Sequence, residues 1–140
     1  MAKKQIKAYQ AISIANAIRA LDPVFINEGS KVEKVNEFDL NGDVIWDLSE
    51  NLLKIQPIIE NIEKTRNSLV RKYNVAGLSE KTEMTPKQRA DYNKFQEEIQ
   101  EVLGKDIEVD FVEIKRDKLD LNKNKIPIAT IVDLRGTVIV

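Results

Sequence analysis

From Val44 to Tyr73 the chain repeats apolar side chains at steps of three and four: Ile45, Leu48, Leu52, Ile55, Ile59, Ile62, Leu69 and Tyr73. Arg66 alone breaks the series. That period places one apolar stripe along a helix of about thirty residues, roughly 45 Å long at 1.5 Å per residue. A stripe of this length has to be covered, by other parts of the chain or by a second copy. Pro57 lacks an amide hydrogen and meets the carbonyl four residues back, which predicts a kink between Leu53 and Gln56. The series keeps its phase across the proline, so one bent helix is expected. Pro57 and Arg66 argue against a long, straight parallel coiled coil, because one bends the seam and the other charges it.

The segments that must cover the stripe lie on both sides of it. Gln5 to Leu21 reads as a first helix, with Ala11, Ile14, Ile18 and Leu21 at helical spacing and alanines that allow close approach. Asp22-Pro23 ends it, since the residue before proline is pushed out of the helical region. Val24 to Leu40 is less decided: Glu28-Gly29-Ser30 is turn material, and Val35 to Leu40 reads as a short extended segment. Asn41-Gly42 is a strong turn signal, and Asp43 is the expected N-cap of the long helix.

Beyond the stripe, Asn74 to Glu83 reads as a polar loop containing Gly77. Thr85-Pro86-Lys87-Gln88 is a helix start, with threonine capping, proline in the first turn and glutamine completing a capping box. Tyr92, Phe95, Ile99 and Val102 give this helix its apolar face, and Gly104 is expected to stop it in the αL conformation. The helix is predicted to fold back on the long one as an antiparallel hairpin. Ile107, Val109 and Phe111 alternate with Glu108 and Asp110, which predicts a strand with one buried face. Lys115 to Lys125 is hydrophilic. Pro127, Ile128, Ile131, Leu134 and Gly136 suit a short helix, with a strand as the alternative, and Thr137 to Val140 is an apolar end expected to tuck against the fold. The expected fold is therefore α+β and mainly α, one domain over residues 1–140. Its centre is a long kinked helix with antiparallel helical partners, and a small β element lies near the C-terminal third.

Composition restricts the chemistry. The sequence contains no cysteine and no histidine. That removes thiolate catalysis, cysteine zinc sites, the commonest general base and the commonest transition-metal ligand. Lys and Arg number 22 against 23 Asp and Glu, so a net charge of −1 gives no global attraction to nucleic acid or to an acidic membrane. Longer apolar runs of the kind that cross a bilayer are missing. Neither an enzyme nor a resident cofactor or metal is expected, and a soluble intracellular protein is.

Several local patterns carry a sharper reading beside a plain one. Asp39, Asn41, Asp43, Asp47 and Glu50 fall at positions 1, 3, 5, 9 and 12 of a calcium loop. The sixth position, however, is Val44 where the loop needs glycine, so a turn with acids at the positive helix end is the expectation. Glu113-Ile114-Lys115 has the carboxylate-x-lysine step of a metal-dependent nuclease, but the second acid should come from an adjacent strand. Asp106 and Asp110 lie on the same strand. Glu97, Glu98 and Glu101 read as a solvated helix face. The basic segment carries Lys115, Arg116, Lys118, Lys123 and Lys125 against Asp117 and Asp120, with no aromatic ring on which a base could stack. Trp46 and Phe38 flank the Asn41-Gly42 turn and would anchor a partner if exposed. Arg66 marks a polar break in the core, paired with an acid of the third helix. The candidate binding residues are thus Trp46, Phe38, Arg66, Lys115, Arg116 and Lys118.

The order of elements resembles a family of small bacteriophage proteins known only as a domain of unknown function. The resemblance rests on the alanine-rich first helix, on Ser68-Leu69-Val70-Arg71-Lys72-Tyr73 closing the long helix, on Lys94-Phe95-Gln96-Glu97-Glu98-Ile99, and on Ile107-Glu108-Val109-Asp110. It covers most of the chain and implies a phage origin, with action in the cytoplasm of an infected bacterium or within a virion. It supplies no catalytic residues. The expected function is binding without catalysis, as a homo-oligomer that docks a partner at the uncovered end of the stripe. Such a protein would sequester or inhibit a host defence factor or its small nucleotide signal, with no role for membrane or nucleic acid. The alternatives are a virion component (tail, connector or scaffold) and, third, the metal-dependent nuclease using Glu113 and Lys115.

Overall fold

The computed structural model describes residues 2–21, 25–28, 31–34 and 38–140, with the backbone alone for Ala2, 25–28 and 31–34. Its elements are β1 (Ala2–Lys7), α1 (Ala8–Leu21), β2 (Phe25–Glu28), β3 (Lys31–Lys34), α2 (Gly42–Tyr73), α3 (Pro86–Leu103), β4 (Asp106–Phe111) and α4 (Ile128–Leu134), with a 3-10 turn at Arg116–Leu119. The fold is α+β and mainly α. The expected helix stop at Asp22-Pro23, the Gly29-Ser30 turn and the extended start at Val35 lie outside the described residues. In the stretch the sequence left undecided, β2 pairs antiparallel with β3, Phe25 opposite Lys34 and Glu28 opposite Lys31.

The first correction concerns the start. Gln5, Ile6 and Lys7 belong to a strand, and α1 begins only at Ala8. β1 pairs antiparallel with β4, Lys3 opposite Asp110 and Lys7 opposite Asp106. Lys7 Nζ lies 2.6 Å from Asp106 and Lys3 Nζ 3.7 Å from Glu108, on the exposed face. Ile6 meets Val109 and Phe111 in the core on the other face. Three residues of helix propensity are outweighed by a ladder that β4 would otherwise lack and by opposite charges across it.

α2 forms one continuous helix of 32 residues through Pro57, about 48 Å long. Its N-cap is Asn41 rather than Asp43, which sits in the first turn and pairs with Lys118 at 3.5 Å. The helix ends at Asn74, whose φ of 53° lets its own amide reach Arg71 while the next amide, of Val75, reaches Val70. Val44, Leu48, Ile55 and Ile62 are buried along one line. Asn51 is on that line too, fully buried: its amide nitrogen donates to the Val112 carbonyl (2.9 Å) and its oxygen accepts from the Val112 amide (2.7 Å). The side chain continues the hydrogen bonding of the strand where β4 ends.

Apolar packing forms two clusters along α2. The larger one unites α1, the first half of α2, β4 and the C-terminal tail around Ile14, Ile18, Leu48, Ile55 and Phe111. The second joins Tyr92, Phe95 and Ile99 of α3 to Val75, with Leu69 and Tyr73 packed against it. Arg66 lies exposed between the two stretches of stripe. It marks the expected break, but among the described residues it has no ion pair. The pair that ties α2 to α3 is Lys72–Glu98 at 3.3 Å. α3 starts beside the Tyr73 end of α2 and leads into β4, whose Asp110 carbonyl accepts from Lys54 at 2.6 Å, so it runs back along α2 as predicted.

The capping box at Thr85 is formed in full, with Gln88 N to Thr85 Oγ1 at 3.2 Å and Thr85 N to Gln88 Oε1 at 2.9 Å. Gly104 ends α3 at φ −87°, not in αL; a Cβ there would stand 3.3 Å from the Gln100 carbonyl. Of the two readings for residues after Pro127, the helix is correct. The tail is tucked in: Val138 and Ile139 are buried, and the tail runs parallel beside Ile114. The stripe is thus covered within the chain at both ends. The exposed Trp46 and Leu53 sit on the opposite side of α2, since at about 100° per residue they fall across from Val44, Leu48 and Ile55.

Candidate functional site

Four basic side chains from separate parts of the chain line one groove: Lys4 of β1, Lys115 and Arg116 after β4, and Arg135 after α4. The walls are set by main-chain bonds. The Ile114 amide donates to the Val138 carbonyl (2.7 Å), the Val140 amide to Ile114 (3.0 Å) and the Arg116 amide to Val140 (3.0 Å). Gly136, at φ 83°, turns the chain from α4 into the tail, and its amide donates to the Ile139 carbonyl at 2.9 Å. The buried Leu119 roots the 3-10 turn beneath.

The groove is open and encloses about 1380 Å³. Its apolar surface comes from Leu121, Ile131, Ile139 and Val140, and two acids, Asp117 and Asp120, also line it. Among the described residues none of the four cations is in an ion pair. Four basic groups against two acids leave a positive local field in a chain whose total charge is −1.

The candidate residues separate by role. Lys115 and Arg116 stand together in the groove. Lys118 instead pairs with Asp43 at the start of α2, and Lys123 pairs with Asp39 at 2.5 Å just before it. The Asp39 carboxylate raises the pKa of Lys123 through its hydrogen bond and its charge. Two of the oxygens of the calcium pattern are therefore committed to lysines. Asn124, buried, accepts from the Asp39 amide (2.8 Å) and donates to the Asp39 and Leu119 carbonyls (2.9 Å each), completing the clamp. Trp46 is 68% exposed, whereas Phe38 is half-buried against the core. Trp46, Phe38 and Arg66 do not line the groove.

Lys4 and Arg135 were missed. Each is a lone cation in its own segment, and only the tail's return past Ile114 brings them near Lys115 and Arg116. A second cleft, between Ile18 and Leu48, measures about 20 Å³, room for little more than a water molecule. Glu113 is exposed, and β1, the strand paired with β4, carries no carboxylate beside it. Among the described residues no group of three His, Cys, Asp or Glu is placed to hold a metal ion, and no helix is long and apolar enough to cross a membrane. Comparison with protein-family models, curated proteins and solved structures finds no match to this chain.

Proposed function

We propose that the chain is a non-enzymatic, phage-encoded accessory protein that acts by binding, with the groove as its working surface. The observation that carries this reading is the set of four cations, without an ion pair among the described residues, around an aliphatic surface. Cations left without acidic partners beside apolar side chains are arranged for an anionic ligand that also buries apolar atoms. The partner is a component of the infected bacterium: a defence factor, or the small nucleotide signal such a factor uses. The phage origin rests on the resemblance described above.

A second reading, self-assembly in a homo-oligomer or a virion, draws support from Trp46, Leu53, Ile128 and Val132, which are 62–80% exposed. With the stripe covered inside the chain, association between copies would use these outer faces. A thermal-shift panel of nucleotides and polyanions at low salt tests the first reading, because a ligand that binds only the folded state raises the melting temperature. The expected result is a rise with at least one class of anion in the panel, polyglutamate included, that disappears in an Arg116→Glu/Arg135→Glu double variant. Mass spectrometry of purified phage particles tests the rival: detection of the chain there would favour the virion component.

A further inference from the structure

We infer that the groove receives an extended, acidic and aliphatic segment of a partner protein, rather than a phosphate-bearing small molecule. The inference rests on the proposed binding role of the groove and specifies the occupant. Phosphate sites in proteins depend on free main-chain amides, gathered at helix N-termini or in backbone nests. Along the Ile114 and tail side of the groove the amides are already committed. Those of Ile114, Arg116, Arg135, Gly136, Ile139 and Val140 all donate to carbonyls of the chain itself. The groove also lacks an aromatic ring, so a nucleobase has no surface on which to stack.

The features that are present suit a peptide. The cations come from three separated segments, which matches carboxylates spaced along an extended chain better than one compact, highly charged group. Arg116 and Arg135 can each hold a carboxylate through two parallel hydrogen bonds. Leu121, Ile131, Ile139 and Val140 offer apolar contact to the side chains between those carboxylates. Asp117 and Asp120 would repel a polyphosphate but tolerate a segment that is acidic only at intervals. The groove, at about 1380 Å³, is also larger than the roughly 300–1,000 Å³ typical of small-molecule pockets.

The test uses the full chain and four probes: a short capped peptide alternating Glu with Leu, the same peptide with Lys for Glu, tripolyphosphate and ADP. Binding is followed by anisotropy of labelled probes and by amide NMR shifts. The expected result is saturable binding of the acidic peptide alone, with shifts at Arg116, Ile131 and Ile139. Binding should weaken roughly a hundredfold in Arg116→Glu/Arg135→Glu and stay unchanged in Lys87→Glu, on the far α3. Circular dichroism establishes that the variants are folded. Binding of tripolyphosphate or ADP through the groove in place of the peptide would overturn this inference and leave the proposed function standing. No binding by any probe would count against both. Peptide binding that survives the double reversal would remove the groove as its site.

Discussion

Asn51 and Asn124 each use one side-chain amide to satisfy both main-chain groups of a single distant residue, Val112 and Asp39 respectively. Both asparagines are buried, so each carries its polar group into the core only because these bonds satisfy it. Asn51→Leu keeps the branching of the side chain and adds apolar surface, yet it should destabilise by about 3 kcal/mol in urea unfolding, because the Val112 amide and carbonyl lose their partner. A neutral or stabilising result would mean that the 112–114 segment can shift to find other partners. Neither asparagine is visible in the hydropathy pattern: an asparagine on an apolar line looks like a flaw until the strand beside it is known. Lys123 yields to a different measurement. Its pKa is raised by Asp39, so its stabilising effect is complete below the unfolded value of 10.5 and is lost as pH rises through the raised value. The difference in melting temperature between the wild type and Lys123→Met should therefore be constant near neutrality and vanish at strongly alkaline pH.

Among the elements, α3 was the most legible, because its start is specified by neighbours in sequence. Thr85→Ala removes one side of the capping box and should cost about 1 kcal/mol, read as a lower melting temperature. β1 was the least legible, because its partner lies about a hundred residues away. A signal existed nonetheless: Lys3 and Lys7 alternate on one face of β1 and complement Asp106, Glu108 and Asp110, an acidic strand face that called for a basic partner. α2 was readable in length and in phase, and its proline provides a test of how well the helix has adapted. Pro57 is exposed and leaves the Leu53 carbonyl without its helical donor. Pro57→Ala should stabilise the protein by about 2 kcal/mol in urea unfolding, after allowing for the freer unfolded chain. A loss of stability would mean that α1 packs against a bend the proline creates.

At the scale of the molecule, two apolar clusters share one helix and meet near the exposed Arg66. The smaller cluster, built on α3, is the one expected to open first. Phe95→Ala, at about 3 kcal/mol, should speed amide hydrogen exchange through α3 and residues 69–75 while leaving α1 protected. Uniform loss of protection would show that the shared helix couples the clusters into one unit. The groove could not be read from the sequence, because it exists only once the tail has passed Ile114. Half of its cations were nonetheless singled out by local charge.

The sole tryptophan is on the outside of α2. An indole already surrounded by water emits nearly the same light whether the chain is folded or not. Tryptophan emission should therefore be almost blind to unfolding, and tyrosine signals or circular dichroism must be used for the stability measurements above. The same property makes Trp46 a selective lamp. Emission that moves to shorter wavelength as protein concentration rises would report another copy settling on that face, with no label attached.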